Sequence, residues 1–306
     1  MEVWGFMKDW NKKKLTALVC AGLMAGTLLP CGIVSAENVI LDEVVTDGAD
    51  LPTGAKWLDS NNGIALKNSG DTLVLDFRNS NEWNKYFCGG CSDGSDGISN
   101  YHVVFNSGIT DQIYGGWSAS GNATKNTVTI SGGGTVDQIV YGGYSSYGNA
   151  TQNTVTISGG TVSNHLYGGY SFSGDATQNT VTISGGTVSN HLFGGYSFSS
   201  DATQNTVTIS GGTVDQNVYG GSSAQGNATG NTVNLVGLGS TLEGAVTKNQ
   251  KTPSIAGVVY GGASNSGSVS GNTLNVYGTG TQARNIKYFD TINFYVPASA
   301  VNGDVM

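Results

Sequence analysis

Short runs of the chain alternate apolar and polar residues with a period of two, and the runs recur. Thr154-Val155-Thr156-Ile157 puts Val155 and Ile157 on one face and both threonines on the other, the pattern of a half-buried β-strand. Ser158-Gly159-Gly160 punctuates that run, Thr161-Val162 resumes it, and Leu166-Tyr167-Gly168-Gly169 follows after Ser163-Asn164. The predicted local order is strand, turn, strand, turn. No stretch beyond residue 36 carries an apolar period of 3.6 residues, so helix is not expected.

The pattern has a fixed period. Aromatic-Gly-Gly begins at Tyr114, Tyr141, Tyr167, Phe193, Tyr219 and Tyr260, at intervals of 27, 26, 26, 26 and 41, the last lengthened by an insertion around Leu238 to Ser254. Asn-Thr-Val or Asn-Thr-Leu begins at Asn126, Asn153, Asn179, Asn205, Asn231 and Asn272 and repeats the same intervals. Cys88-Gly89-Gly90-Cys91-Ser92 lies 26 residues before Tyr114-Gly115-Gly116-Trp117-Ser118 and marks a degenerate earlier copy. A unit this short cannot bury its apolar face alone and must stack on its neighbours. Propeller blades usually run to about 40 residues or more. The fold expected is therefore all-β, a parallel β-solenoid of about seven coils of roughly 26 residues, spanning residues 73–296. Residues 37–72, more acidic, are expected to cap the first coil, and 297–306 to form a C-terminal tail.

Equivalent side chains of successive coils should line up about 4.8 Å apart. Val128, Val155, Val181, Val207 and Val233 then form a ladder inside, and Asn126, Asn153, Asn179, Asn205 and Asn231 form one at a corner, passing hydrogen bonds between side-chain amides. The chain contains 48 Gly, 4 Pro and 11% charged residues. Regularly spaced Val, Ile, Thr and Tyr separate it from a disordered Gly-rich linker, so the glycine reads as turn chemistry.

The first 36 residues have a different plan. Lys8 and Lys12-Lys13-Lys14 precede an apolar stretch from Leu15 to Val34, and Val34-Ser35-Ala36 offers a small-residue cleavage site, which together predict a signal peptide. Its removal leaves nine basic and nineteen acidic residues, a formal net charge of about −10 that argues against nucleic acid as a partner. It also leaves Cys88 and Cys91 as the remaining cysteines, and in an oxidising compartment a local disulfide is expected there in preference to a four-ligand metal site.

Candidate chemistry is sparse. Catalysis such as glycoside hydrolysis needs two carboxylates a set distance apart; Asp175 and Asp201 would stack on adjacent coils, yet Asn149 and Asn227 fill the same position in flanking units, so turn roles are expected. His165 and His191 are likewise equivalent and lack a third metal ligand, and Asp93-Gly94-Ser95-Asp96-Gly97 lacks the alternate-position ligands of a calcium loop. No catalytic residue, metal or cofactor is assigned. Asn122-Ala123-Thr124, Asn149-Ala150-Thr151 and Asn227-Ala228-Thr229 fit a glycosylation pattern that most bacteria do not use. The Thr-x-Thr pairs, such as Thr154 and Thr156, resemble ice-binding arrays, though outward Thr is also an ordinary way to solvate a sheet. The strongest signal is aromatic: Trp117, Tyr144, Tyr170 and Tyr196 each follow Gly-Gly. Facing out, they form a binding stripe for sugar or protein; facing in, a core ladder. Unbroken strand parity puts Tyr170 with Leu166, and a bend at Gly-Gly reverses it.

The phrase from Tyr141-Gly142-Gly143-Tyr144-Ser145 through Gly148-Asn149-Ala150-Thr151-Gln152-Asn153-Thr154-Val155-Thr156-Ile157-Ser158-Gly159-Gly160 resembles the passenger repeats of type V autotransporters. Ile292-Asn293-Phe294-Tyr295-Val296-Pro297 and the residues to Asp304 look like the segment that closes such passengers. The resemblance implies a parallel β-helix carried through the outer membrane by a C-terminal barrel. No series of roughly ten-residue amphipathic strands is present, so that translocator barrel is expected outside this sequence. The function expected is that of an exported passenger at the cell surface, outer membrane or extracellular medium, an adhesin or structural repeat protein whose partner is a glycan or protein on a host or neighbouring cell. The alternative is a polysaccharide-degrading β-helix enzyme, and an ice-binding solenoid is a third reading.

Overall fold

The computed structural model describes residues 36–43, 48–58, 62–77, 82–240 and 251–296, without the side chains of 82–84. The expected signal peptide and C-terminal tail fall outside these residues, Ala36 excepted, as does most of the insertion between Leu238 and Ser254. The remainder is a parallel β-solenoid.

One coil shows how sequence becomes architecture. Thr154–Ile157 lies on the first face; Thr161–Val162 and Leu166–Ser171 form the second; Ala176–Thr177 forms the third. Each strand pairs in parallel with its equivalent one repeat away, so Thr154 opposes Thr180 and Val155 opposes Val181. The same register carries Tyr167 to Phe193 and Ala176 to Ala202. Val155, Ile157, Val162 and Leu166 are fully buried and join the continuous central core. Alternation in each strand therefore sorts residues inward and outward, as period two requires.

Among the described residues the third face holds seven short strands, in sheets of five and two, which gives seven three-sided coils. The first face holds ten, because Asn38–Leu41, Thr72–Asp76 and Thr291–Tyr295 add partial turns at the ends. The segment expected as a cap has two roles. Asn38–Leu41 pairs in parallel with Thr72–Leu75 as a rung of the stack, while Ala55–Leu58 pairs antiparallel with Gly63–Leu66 and ends the second sheet.

The corner between third and first faces is polar and buried. Asn126, Asn153, Asn179, Asn205, Asn231 and also Asn272 are fully buried there. Asn153 donates from its backbone N and from Nδ2 to Asn179 Oδ1, both at 3.0 Å, and Nδ2 donates again to the Ala123 carbonyl at 2.9 Å. Every polar atom of the amide is thus matched, which makes its burial tolerable. The ladder starts at the Tyr101 backbone N, which donates to Asn126 Oδ1, and ends where Asn272 N donates to Asp290 Oδ2. The residue before each Asn turns through the left-handed region: Gln152, Gln178 and Gln204 have φ of 56–58°, and Gly230 and Gly271 stand at the equivalent places.

Candidate functional site

The Gly-Gly pair decides which way the aromatics point. A Cβ on Gly168 would meet the Gly194 carbonyl and Val181, and one on Gly169 would collide with the Asn179 side chain, so both glycines face inward. Two inward residues in succession break the alternation. Leu166 is buried in the core, Tyr167 and Tyr170 both face away from it, and Ser171 is buried again. The bend, not unbroken parity, holds in this strand.

The sequence left the facing of one aromatic ladder open between outward stripe and core, and the structure has two outward ladders side by side. Tyr114, Tyr141, Tyr167, Phe193, Tyr219 and Tyr260 stack with ring centroids 4.7–5.2 Å apart. Trp117, Tyr144, Tyr170 and Tyr196 form the second ladder at 6.4, 5.1 and 5.2 Å. The ladders meet edge to face, as in Tyr167 with Tyr170 at 5.3 Å and 87°, an arrangement the ring quadrupole favours. Phe172 and Phe198 stack at 4.8 Å and are 44% and 37% exposed, which extends the aromatic surface into solvent. Burial pushes the Tyr114 and Tyr170 phenols up to about 12, and Tyr141 and Tyr167 higher still, with neighbouring tyrosines adding to the effect. These four phenols are therefore neutral hydroxyls near neutral pH.

Both ladders begin one coil above the cysteine pair. Cys88 is in register with Tyr114 and Cys91 with Trp117, and the two cysteines are joined in a disulfide. At this end the second sheet closes on the antiparallel hairpin, and a cavity of about 420 Å³ opens among Lys56, Leu58, Tyr86, Asp93, Tyr114 and Trp117, with Cys91 also lining it. Lys56, Leu58 and Tyr86 carry no repeat signature, so the sequence reading missed them.

The remaining candidates have structural surroundings. Asp175 Oδ1 accepts from the Ser200 hydroxyl and from Asp201 N, and Asp201 Oδ1 accepts from Asn227 N, so both acids serve a ladder of turns shared with Asn122 and Asn149. His165 and His191 stack at 5.4 Å beside the first aromatic ladder, and Asn217 N donates to His191 Nδ1. Burial lowers both imidazole pKa values, and His191 lowers that of His165 further. The alternating threonines lie on the outer side of the first sheet, half-buried by one another. Family models, curated proteins and solved structures were compared with the chain, and none matches.

Proposed function

We propose that the chain is an exported, autotransporter-type passenger, displayed at the cell surface or released from it, acting as an adhesin or structural spacer and not as an enzyme. The observation that carries this reading is the pair of outward aromatic ladders on one face of the second sheet. Flat rings held rigid by their own stacking give contact area with little entropy left to lose. A glycan or protein on another cell is the partner that fits such a face, and the acidic chain disfavours nucleic acid. Export rests on the basic and apolar plan of residues 1–36.

The test is protease treatment of intact bacteria expressing a tagged copy. The tag should be cleaved without lysis or be recovered in the medium, and the protein should begin after Ala36. Protein confined to the cytoplasm with its N-terminal segment intact would sink the reading.

A further inference from the structure

The aromatic ladders lack a rung where they meet the cavity. Tyr144 covers one face of the Trp117 indole, with centroids 6.4 Å apart and planes 13° apart. On the other side the equivalent position is Cys91, which offers a sulfur where each coil from Trp117 to Tyr196 offers a ring. Tyr114 is stacked above by Tyr141, and the equivalent position below is Cys88. Tyr86 stands edge-on to Tyr114 at 6.1 Å and 83°, forming a side wall and not a further rung. The disulfide holds these two sulfur positions together at the base of the ladders. Cys91, Tyr114 and Trp117 line the cavity together, and its volume of about 420 Å³ lies in the range of small-molecule sites.

We infer that this cavity binds a saccharide unit, the sugar ring completing the aromatic ladder beneath Trp117. The axial C–H face of a pyranose is apolar and flat, and it matches an indole face with a tyrosine edge beside it. Its hydroxyls need polar partners of both kinds, and the rim supplies them: the exposed Lys56 ammonium donates and the exposed Asp93 carboxylate accepts. Leu58 adds apolar wall on the hairpin side. A purely apolar ligand would leave both charged groups unused. The inference deepens the adhesin reading and rests on it for its biological sense, but the site itself is a property of the folded chain.

Isothermal titration of the purified protein with cellobiose, N,N′-diacetylchitobiose and a digalacturonate tests it, with indole as the aromatic control. Saturable binding of at least one disaccharide is expected. Trp117→Ala should weaken it about tenfold. The double variant Lys56→Ala/Asp93→Asn, altered only on the exposed rim, should weaken it about threefold with no change in thermal midpoint. Tyr196→Ala, three coils away on the same ladder, should bind as the parent does. The proposal is overturned if no disaccharide binds, if indole alone binds, or if Tyr196→Ala costs as much as Trp117→Ala. It is also overturned if the rim variant binds unchanged, a result that stands even where Trp117→Ala fails to fold. Titration is independent of where the cell places the protein, so its failure and failure of the protease test remain separate results.

Discussion

Two strands of the first sheet have nearly the same alternation and opposite surroundings. Thr180–Ile183, in the middle of the stack, buries Val181 and Ile183 completely. Thr291–Tyr295 at the C-terminal end pairs in register with Thr273–Tyr277, yet Ile292 is 41% and Phe294 58% exposed. Both strands are hydrogen-bonded to the coil before them, and the middle one also has Thr206–Ile209 after it. Alternation within a strand thus selects which residues can be buried, and the neighbouring coils decide how far they are. Stability of this kind is a sum over interfaces between repeats.

Four changes probe that comparison. The largest effect is expected from Val181→Asp, which places an unpaired carboxylate between two apolar coils and should cost several kcal/mol. Ile292→Asp, the same chemistry at a partly exposed end, should cost much less, and thermal unfolding of the two variants beside the parent measures the difference. Asn179→Ala comes next. It strips the acceptor used by Asn153 N and Nδ2 and the Nδ2 donor to the Ala150 carbonyl and Asn205 Oδ1, leaving the buried Asn153 N without its acceptor while residue 179 N still donates to Asn205 Oδ1, for about 1–3 kcal/mol. Asp290→Ala removes only the exposed terminal acceptor of that ladder and should shift the midpoint less.

A smaller effect is expected from pH. The folded pKa values of His165 and His191 lie below the unfolded value, about 6.5, so the unfolded chain takes up protons first. The contribution to stability is whole above that value and is lost as pH falls from it toward the folded values. Thermal midpoints measured at pH 7.5 and 5.0 should fall on acidification, and the His165→Gln/His191→Gln variant should fall less. The smallest effect is expected from Thr180→Asp, whose side chain meets water; a change within about 0.5 kcal/mol of the parent is predicted. A midpoint matching that of Val181→Asp would reverse the inside and outside assignment.

The architecture was legible because two markers recur in one register, and each coil needs the same inward valine and corner asparagine. The internal repeats gave seven units, while among the described residues the first sheet holds ten strands, because Asn38–Leu41, Thr72–Asp76 and Thr291–Tyr295 keep the alternation without the Gly-Gly and Asn markers. The direction of Tyr170 was not legible. It turns on Gly168 and Gly169, which have no side chains whose polarity could disclose a facing, and the reason both point inward is the Asn179 amide and the next coil's backbone. The left-handed corner did leave a signal, in Gly230 and Gly271 standing where Gln178 and Gln204 stand in other coils. The cavity left none, since Lys56 and Leu58 reach it through a hairpin that occurs once.

The central claim, that one repeat is one coil in parallel register, is tested most directly by paired cysteines on the outer face of the first sheet. Thr156 and Thr182 are register partners on adjacent coils, which sets them within disulfide range, whereas Thr154 and Thr182 are offset by two residues. Thr156→Cys/Thr182→Cys should oxidise to an internal cross-link, detected by mass spectrometry of a digest, and Thr154→Cys/Thr182→Cys should keep free thiols. A cross-link in the offset pair, or in neither, would contradict the solenoid.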